Sequence, residues 1–195
     1  MSKRANWLTY YANTKNRPPS DLLVKALEYV SQKGRAIDIG GGALKDSRYL
    51  LQEGFEVINI DSQKLPADFT RDIDKERFQH VVSSFEKYVF PKEAYDLASA
   101  MYALPFNRPE TFDRVFEDVK KSLRVQGILC GNFFGDRDSW ANDPKMTFHT
   151  LDRAKASLAD LEVLFFKERE WGGMLADGVT KKHWHIFEFI ARRQE

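Results

Sequence analysis

The run "AIDIGGGALKDSRYLL", residues 36–51, most constrains what this chain can fold into. A short apolar strand pattern meets three consecutive glycines, and a helical pattern follows at once. Glycines between a strand and a helix let the backbone take positive φ and let a ligand come close to the main chain. The unit belongs to a parallel sheet, and it places a ligand at the carboxyl end of its strand.

The rest of the chain repeats the strand-then-helix pattern. "SDLLVKALEYVSQKG" (Ser20 to Gly34) reads as a helix, with Ser20 as N-cap and Leu22, Leu23, Ala26, Leu27 and Val30 at helical spacing. "RAIDI" is the first strand, "FEVINID" the second, "FQHVVSS" the third, "YDLASAMYAL" the fourth and "GILCGNFFG" the fifth. Helices are expected over "LKDSRYLLQEG", from Pro109 to about Leu123, and from Thr150 to Ala159. "DRDSWANDPKMTFH" reads as a loop. The last two strands, "LEVLFFKERE" and "HWHIFEFIARR", have only a loop between them and pair as an antiparallel hairpin. The expectation is an α/β, doubly wound, seven-stranded and mostly parallel sheet: five strand–helix units, covered on both faces, ending in an antiparallel C-terminal hairpin.

Charge adds no partner. Lys and Arg total 30 against 29 Asp and Glu, so no net field favours nucleic acid or an acidic membrane. No apolar run approaches the roughly 20 residues of a membrane span, and "MSKRANWLTYYA" has no apolar core of a secretion signal. Cys130, the one cysteine, has no internal disulfide partner, and the cytoplasm is the expected compartment. At 195 residues the chain is expected to be one domain.

The glycine turn alone suits a dinucleotide as well as other adenosine ligands. The dinucleotide pattern, however, needs a small residue where Lys45 stands. Asp38, two residues ahead of Gly40, suits a ligand with a positive group, such as the amino end of a methionine. Asp61, ending the second strand, is placed to accept both hydroxyls of a ribose.

Together, "AIDIGGGALKDSRYLLQEGFEVINID" resembles motif I through the second strand of class I S-adenosylmethionine-dependent methyltransferases. Within them, "KDSRYLL" resembles the small tellurite-resistance-type and small-molecule enzymes. The resemblance implies the class I methyltransferase fold, S-adenosylmethionine as cofactor and methyl transfer to a small-molecule acceptor; a cofactor-binding module with a regulatory or assembly role is the alternative. Position by position, it implies that Asp38 and the Gly40, Gly41 and Gly42 backbone face the methionine part, and that Asp61 holds the ribose beside Ser62 and Gln63. It places Ser84 near the adenine amino group, Phe85 over the ring, and Ala100 to Tyr102 under the sulfur. It makes residues 1–20 a cofactor-covering segment, with Tyr11 facing the cofactor and Arg17 pairing with its carboxylate. The family's usual third glycine falls at Leu44, from which a narrowed pocket is expected.

Acceptor candidates lie on the loops at the carboxyl ends of the strands: Tyr102, Phe134, Trp140, His149 and Trp171. Rings of this kind suit a small aromatic or otherwise apolar acceptor. His149 is either a base or a cap for the helix after it. His183 and His185, two apart on a strand with no third ligand nearby, read as core or edge histidines, and no metal is expected. "SAMYALPF" stands where enzymes that methylate base amino groups carry N/D-P-P-Y/F, so no nucleic-acid acceptor is expected.

Overall fold

The computed structural model describes residues 7–175 and 177–195. Strands β1 (Arg35–Ile39), β2 (Glu56–Asp61), β3 (Phe78–Val82), β4 (Tyr95–Ala100) and β5 (Leu123–Gly135) run parallel. β6 (Phe148–His149) is a two-residue strand, also parallel to β5. β7 (Leu161–Met174) and β8 (Lys181–Arg193) form the hairpin. The order is β3-β2-β1-β4-β5-β8-β7, with β8 inserted antiparallel between β5 and β7, and β6 as an eighth strand off this path. This is the class I methyltransferase arrangement, with one more strand than the seven expected.

Helices lie on both faces. On one, α1 (Trp7–Thr14), α2 (Asp21–Ala26) and α3 (Lys45–Gln52) bury Tyr11, Leu23, Ala26, Leu50 and Leu51 over Ala36, Val57, Leu97, Ile128 and Cys130. On the other, α4 (Pro109–Ser122) and α5 (Leu151–Ala156) cover Ile37, Ile39, Ala98, Phe133 and Phe189. α4 forms because Pro109 sits at its first position and Phe112, Val115, Phe116 and Val119 recur at helical spacing, all buried. β4 is buried at all of its residues, as a central parallel strand should be.

Three sequence expectations need correction. The strand–helix alternation is incomplete: β2 reaches β3 through a single 3-10 turn (Ala67–Phe69), and no helix lies between β3 and β4. "SQKLPADFTRDIDKER" carries no helical apolar stripe, so nothing drives a helix onto that end of the sheet, and β3 stays only half buried. The first long helix ends early, with α2 closing in a 3-10 turn at Leu27–Tyr29. Finally, Ser20 makes no side-chain cap. Its hydroxyl donates to Asp46 Oδ2 at 2.9 Å and accepts from Lys45 Nζ at 2.7 Å, while its N–H donates to Asp46 Oδ1 at 2.7 Å. The first turn of α3 thereby clasps the start of α2. Among the described residues no helix is long and apolar enough to cross a membrane.

Candidate functional site

The glycine turn closes β1 onto β2: Gly40 N–H donates to the Ile60 carbonyl at 2.7 Å. Gly40 has φ +68, and a Cβ there would stand 2.6 Å from Ala103 Cβ and 3.3 Å from the Phe85 ring. Gly42 has φ +48, and a Cβ there would stand 2.9 Å from the Tyr11 ring. A Cβ on Gly41 would run into Asp38 and Asn59. Backbone conformation and close approach thus both require glycine at the first and third of these positions. Leu44 also takes the left-handed conformation, with φ 64 and ψ 15, where a glycine is at ease. Its side chain is fully buried in the core under α3. The narrowed pocket expected from Leu44 is therefore corrected: the extra bulk goes into the core.

Asp38 is 1% exposed and sits beneath the turn. Oδ2 accepts from Ser47 Oγ at 2.5 Å and from Asn59 Nδ2 at 3.4 Å. Burial, followed by the charge of Asp46, raises its pKa to about 7, against the pull of Ser47, Lys45 and Asn59. Asn59 Oδ1 then meets His80 Nδ1 at 2.7 Å, and His80 Nε2 meets the Gln63 carbonyl at 3.2 Å. A polar chain thus runs under the turn from Asp38 to Gln63. Sequence reasoning left Ser47, Asn59 and His80 without a role; the serine of "KDSRYLL" was the one available sign.

Asp61, itself buried, is a second hub at the turn. Oδ2 accepts from Gly42 N–H at 3.1 Å, Oδ1 from Gln63 N–H at 2.8 Å, and the Tyr11 hydroxyl lies 3.0 Å from each oxygen. Tyr11 is buried, and burial together with the Asp61 carboxylate pushes its pKa well above the usual phenol range. The fold therefore gathers Tyr11, Gly40, Gly42, Asp61 and Phe85 around one turn. Ser62 is exposed and accepts from Gln63 Nε2 at 3.1 Å. Ser84 starts a turn, its carbonyl accepting from Lys87 and Tyr88 N–H. Ala100 is fully buried beside Gly131, and Arg17 is exposed, with its N–H on the Thr14 carbonyl at 3.0 Å. Residues 1–6 of the expected covering segment lie outside the described residues.

Beyond β4 the chain turns sharply at Tyr102, which has φ 53 and is held by its N–H on Asn132 Oδ1 at 2.8 Å. Tyr102 as a whole residue is 38% exposed. It meets Trp184 edge-on at 5.9 Å and Phe134 at 6.4 Å, and Trp184 stacks on Trp171 at 5.9 Å. Phe106 joins Phe134 and Trp140 to Trp7 of α1, its ring 5.1 Å from Trp7. An aromatic band thus links α1 to the hairpin. Within it the fully buried Lys182 ammonium stands 3.8 Å from the Trp140 ring and 4.3 Å from Trp184, paired with Asp138. Phe106, Trp184 and Lys182 had escaped sequence reasoning, and Trp171, expected in the hairpin's loop, lies in β7 opposite Trp184.

His149 is not part of this band. It is 1% exposed, stacks on Phe133 at 4.5 Å on the α4 face, and neither ring nitrogen has a hydrogen-bond partner. Thr150, whose side chain accepts from Arg153 N–H at 3.2 Å, caps α5 instead. Burial, then the charge of Arg153, lowers the His149 pKa to about 4. The fold thus favours neutral His149, so wild type loses stability as pH falls from about 6.5 toward 4. His149→Phe is expected to stabilise by about 1–2 kcal/mol at neutral pH by removing two unpartnered nitrogens, with a larger gain near pH 4. Urea unfolding of both proteins at pH 7 and 4.5 checks this.

His183 and His185 face Glu170 and Glu168, with ring nitrogens at 2.8 and 3.0 Å. Among the described residues no group of three or more His, Cys, Asp or Glu side chains is arranged to hold a metal.

The family model described as "Methyltransferase domain" matches residues 37–131. No curated protein matches the sequence. Solved structures share the fold. The Burkholderia thailandensis 1,6-didemethyltoxoflavin-N1-methyltransferase, with 1,6-didemethyltoxoflavin and S-adenosylhomocysteine bound, is 16% identical, with TM-score 0.72 over 96% of this chain and 81% of that one. TehB from Haemophilus influenzae is 17% identical, with TM-score 0.74 over 88% of this chain and 61% of that one. An S-adenosylmethionine-dependent methyltransferase described as putative, from Listeria monocytogenes, is 17% identical, with TM-score 0.67 over 89% and 96%.

Proposed function

We propose that this chain, an S-adenosylmethionine-dependent methyltransferase of class I fold, delivers its methyl group to a small, flat, ring-bearing acceptor. The observation that carries the acceptor reading is the aromatic band, which begins at Tyr102, next in sequence to the Ala103 that abuts Gly40, and continues through Phe134, Trp140 and Trp184.

The residues present fit the cofactor. Gly40 and Gly42 form a cradle in which an added Cβ would collide, and Asp61 presents a carboxylate with one lone pair of each oxygen already fixed by backbone N–H. In this reading Asp61 accepts from the two ribose hydroxyls, with Ser62 beside it. Phe85 and Ser84 flank the adenine, and the Gly40–Gly42 backbone and Ala100 lie along the methionine part. Asp38 acts on the ammonium from beneath the turn, and Arg17 reaches the carboxylate from the N-terminal segment through residue 20. S-adenosylmethionine supplies an electrophilic methyl group on a sulfonium.

Alignment is the chain's main contribution, and proximity of this kind is worth roughly 7–11 kcal/mol of a barrier. Tyr102 keeps its proton at neutral pH: burial first, then the Glu188 charge, raise its pKa to about 12. Its ring therefore positions an acceptor rather than deprotonating it. That suits an acceptor which attacks with a free lone pair or as an anion.

Release of S-adenosylhomocysteine across a panel of nitrogen heterocycles, phenols, polypeptides and oligonucleotides tests the reading. Turnover is expected with planar small molecules. Turnover with polypeptide or nucleic acid alone would overturn it.

A further inference from the structure

The lone pairs of Asp61 can be counted. A carboxylate offers about four acceptor sites, two on each oxygen. Gln63 N–H takes one on Oδ1 and Gly42 N–H one on Oδ2; the Tyr11 hydroxyl, 3.0 Å from both oxygens, lies across the remaining two. A ribose diol bound at Asp61 needs those same two sites. The Tyr11 ring also lies against Gly42, on the surface of the cradle.

We propose that α1 is a latch on the cofactor site: the Tyr11 hydroxyl holds the two Asp61 lone pairs that ribose hydroxyls require, and must release them before the cofactor can seat. The inference rests on Asp61 as the ribose site.

α1 meets the rest of the fold on both sides of Tyr11. Its far end is held by Trp7 against Phe106, an edge-on ring contact at 5.1 Å. Residues 15–18, between α1 and α2, are exposed and include Pro18. Beyond them the clasp of Ser20 by Asp46 and Lys45 fixes the chain. α1 is thus tied to the fold by Trp7 on Phe106 and by Tyr11 in the core and on Asp61, and the connector by Lys15 beside Asp68 and over Phe69. Tyr11 is in this scheme a positioning residue for Asp61, competing with the cofactor for it.

The test measures S-adenosylhomocysteine binding by calorimetry and by stopped-flow tryptophan fluorescence, for wild type, Tyr11→Phe and Trp7→Ala. Tyr11→Phe keeps the ring and removes only the competing hydroxyl. A bond to a charged acceptor must no longer be broken, so its dissociation constant is expected to fall about tenfold or more, chiefly through faster association. Trp7→Ala frees the far end of α1 without touching Asp61 and should change affinity in the same direction. 5′-Methylthioadenosine, which keeps the ribose and lacks the amino-acid part, should show the same ratio for Tyr11→Phe. Unchanged or weaker binding in Tyr11→Phe, with wild type binding normally, overturns the latch and leaves the cofactor site standing. Failure of wild type and both variants to bind overturns the cofactor site and the latch with it.

Discussion

Leu44→Gly, which puts a glycine where the methyltransferases that the sequence resembles carry their third motif glycine, lowers the unfolding free energy by about 2–4 kcal/mol. Two effects oppose each other. The left-handed backbone at Leu44, φ 64, costs a leucine roughly 1–2 kcal/mol that glycine would relieve. Against this, the side chain is fully buried, and truncating a buried leucine costs about 2–5 kcal/mol. Glycine also loses more freedom on folding, by roughly 0.5–1 kcal/mol. Packing therefore outweighs strain, and urea denaturation should show a lower midpoint at an unchanged slope. A midpoint equal to or above wild type would mean that the backbone, not the core, decides this position. S-adenosylhomocysteine affinity should change little, because the side chain is directed into the core under α3 and away from the cradle.

The second large effect is at Asp61. Asp61→Asn keeps the shape but removes the charge and replaces one acceptor oxygen with a donor. One of the two backbone donors, Gly42 N–H or Gln63 N–H, then faces an NH2 group, and one ribose hydroxyl loses its acceptor. Hydrogen bonds to charged groups contribute about 1.5–3 kcal/mol each, so the dissociation constant for S-adenosylhomocysteine should rise by about 100-fold or more. Calorimetry reads this directly, and the sign is opposite to that of Tyr11→Phe. Affinity within a few-fold of wild type would remove Asp61 from the ribose site.

The glycine turn was legible because backbone chemistry shows in residue type: only glycine suits Gly40 and Gly42, where φ is positive and neighbours crowd the missing Cβ. Strand β4 and helix α4 were legible by their runs of buried apolar residues. The polar chain from Asp38 through Ser47 and Asn59 to His80 was not, since each partner lies on a different element and meets the others only through tertiary placement. His149 failed for a more specific reason. "TFH" was read as loop, which leaves facing open. As strand β6 it alternates, so Phe148 meets Phe134 on one face while His149 stacks on Phe133 on the other. The clasp at Ser20 failed likewise: a serine ahead of an apolar stripe reads as a cap, and nothing local shows that Asp46 claims it.

The hairpin outruns its neighbour. β8 pairs with β5 only from Ile186 onward, so residues 181–185 pair with β7 alone while carrying Trp184 into the aromatic band. The loop after β5 holds this overhang by the Ser139 N–H on the His183 carbonyl at 3.0 Å and the Arg137 N–H on His185 Nδ1 at 3.1 Å. The pair of Lys182 with Asp138, both side chains fully buried, adds a charge pair to these bonds. Asp138 also accepts from the N–H groups of Trp140 and His185, so loop and strand are read against each other at one carboxylate. A slip of one residue would turn Lys182 to the opposite face and leave a buried anion without its cation, at a cost of about 3–5 kcal/mol. The ion pair thus selects the register: an alignment that separates Lys182 from Asp138 is penalised, and the observed one sets Trp184 against Trp171.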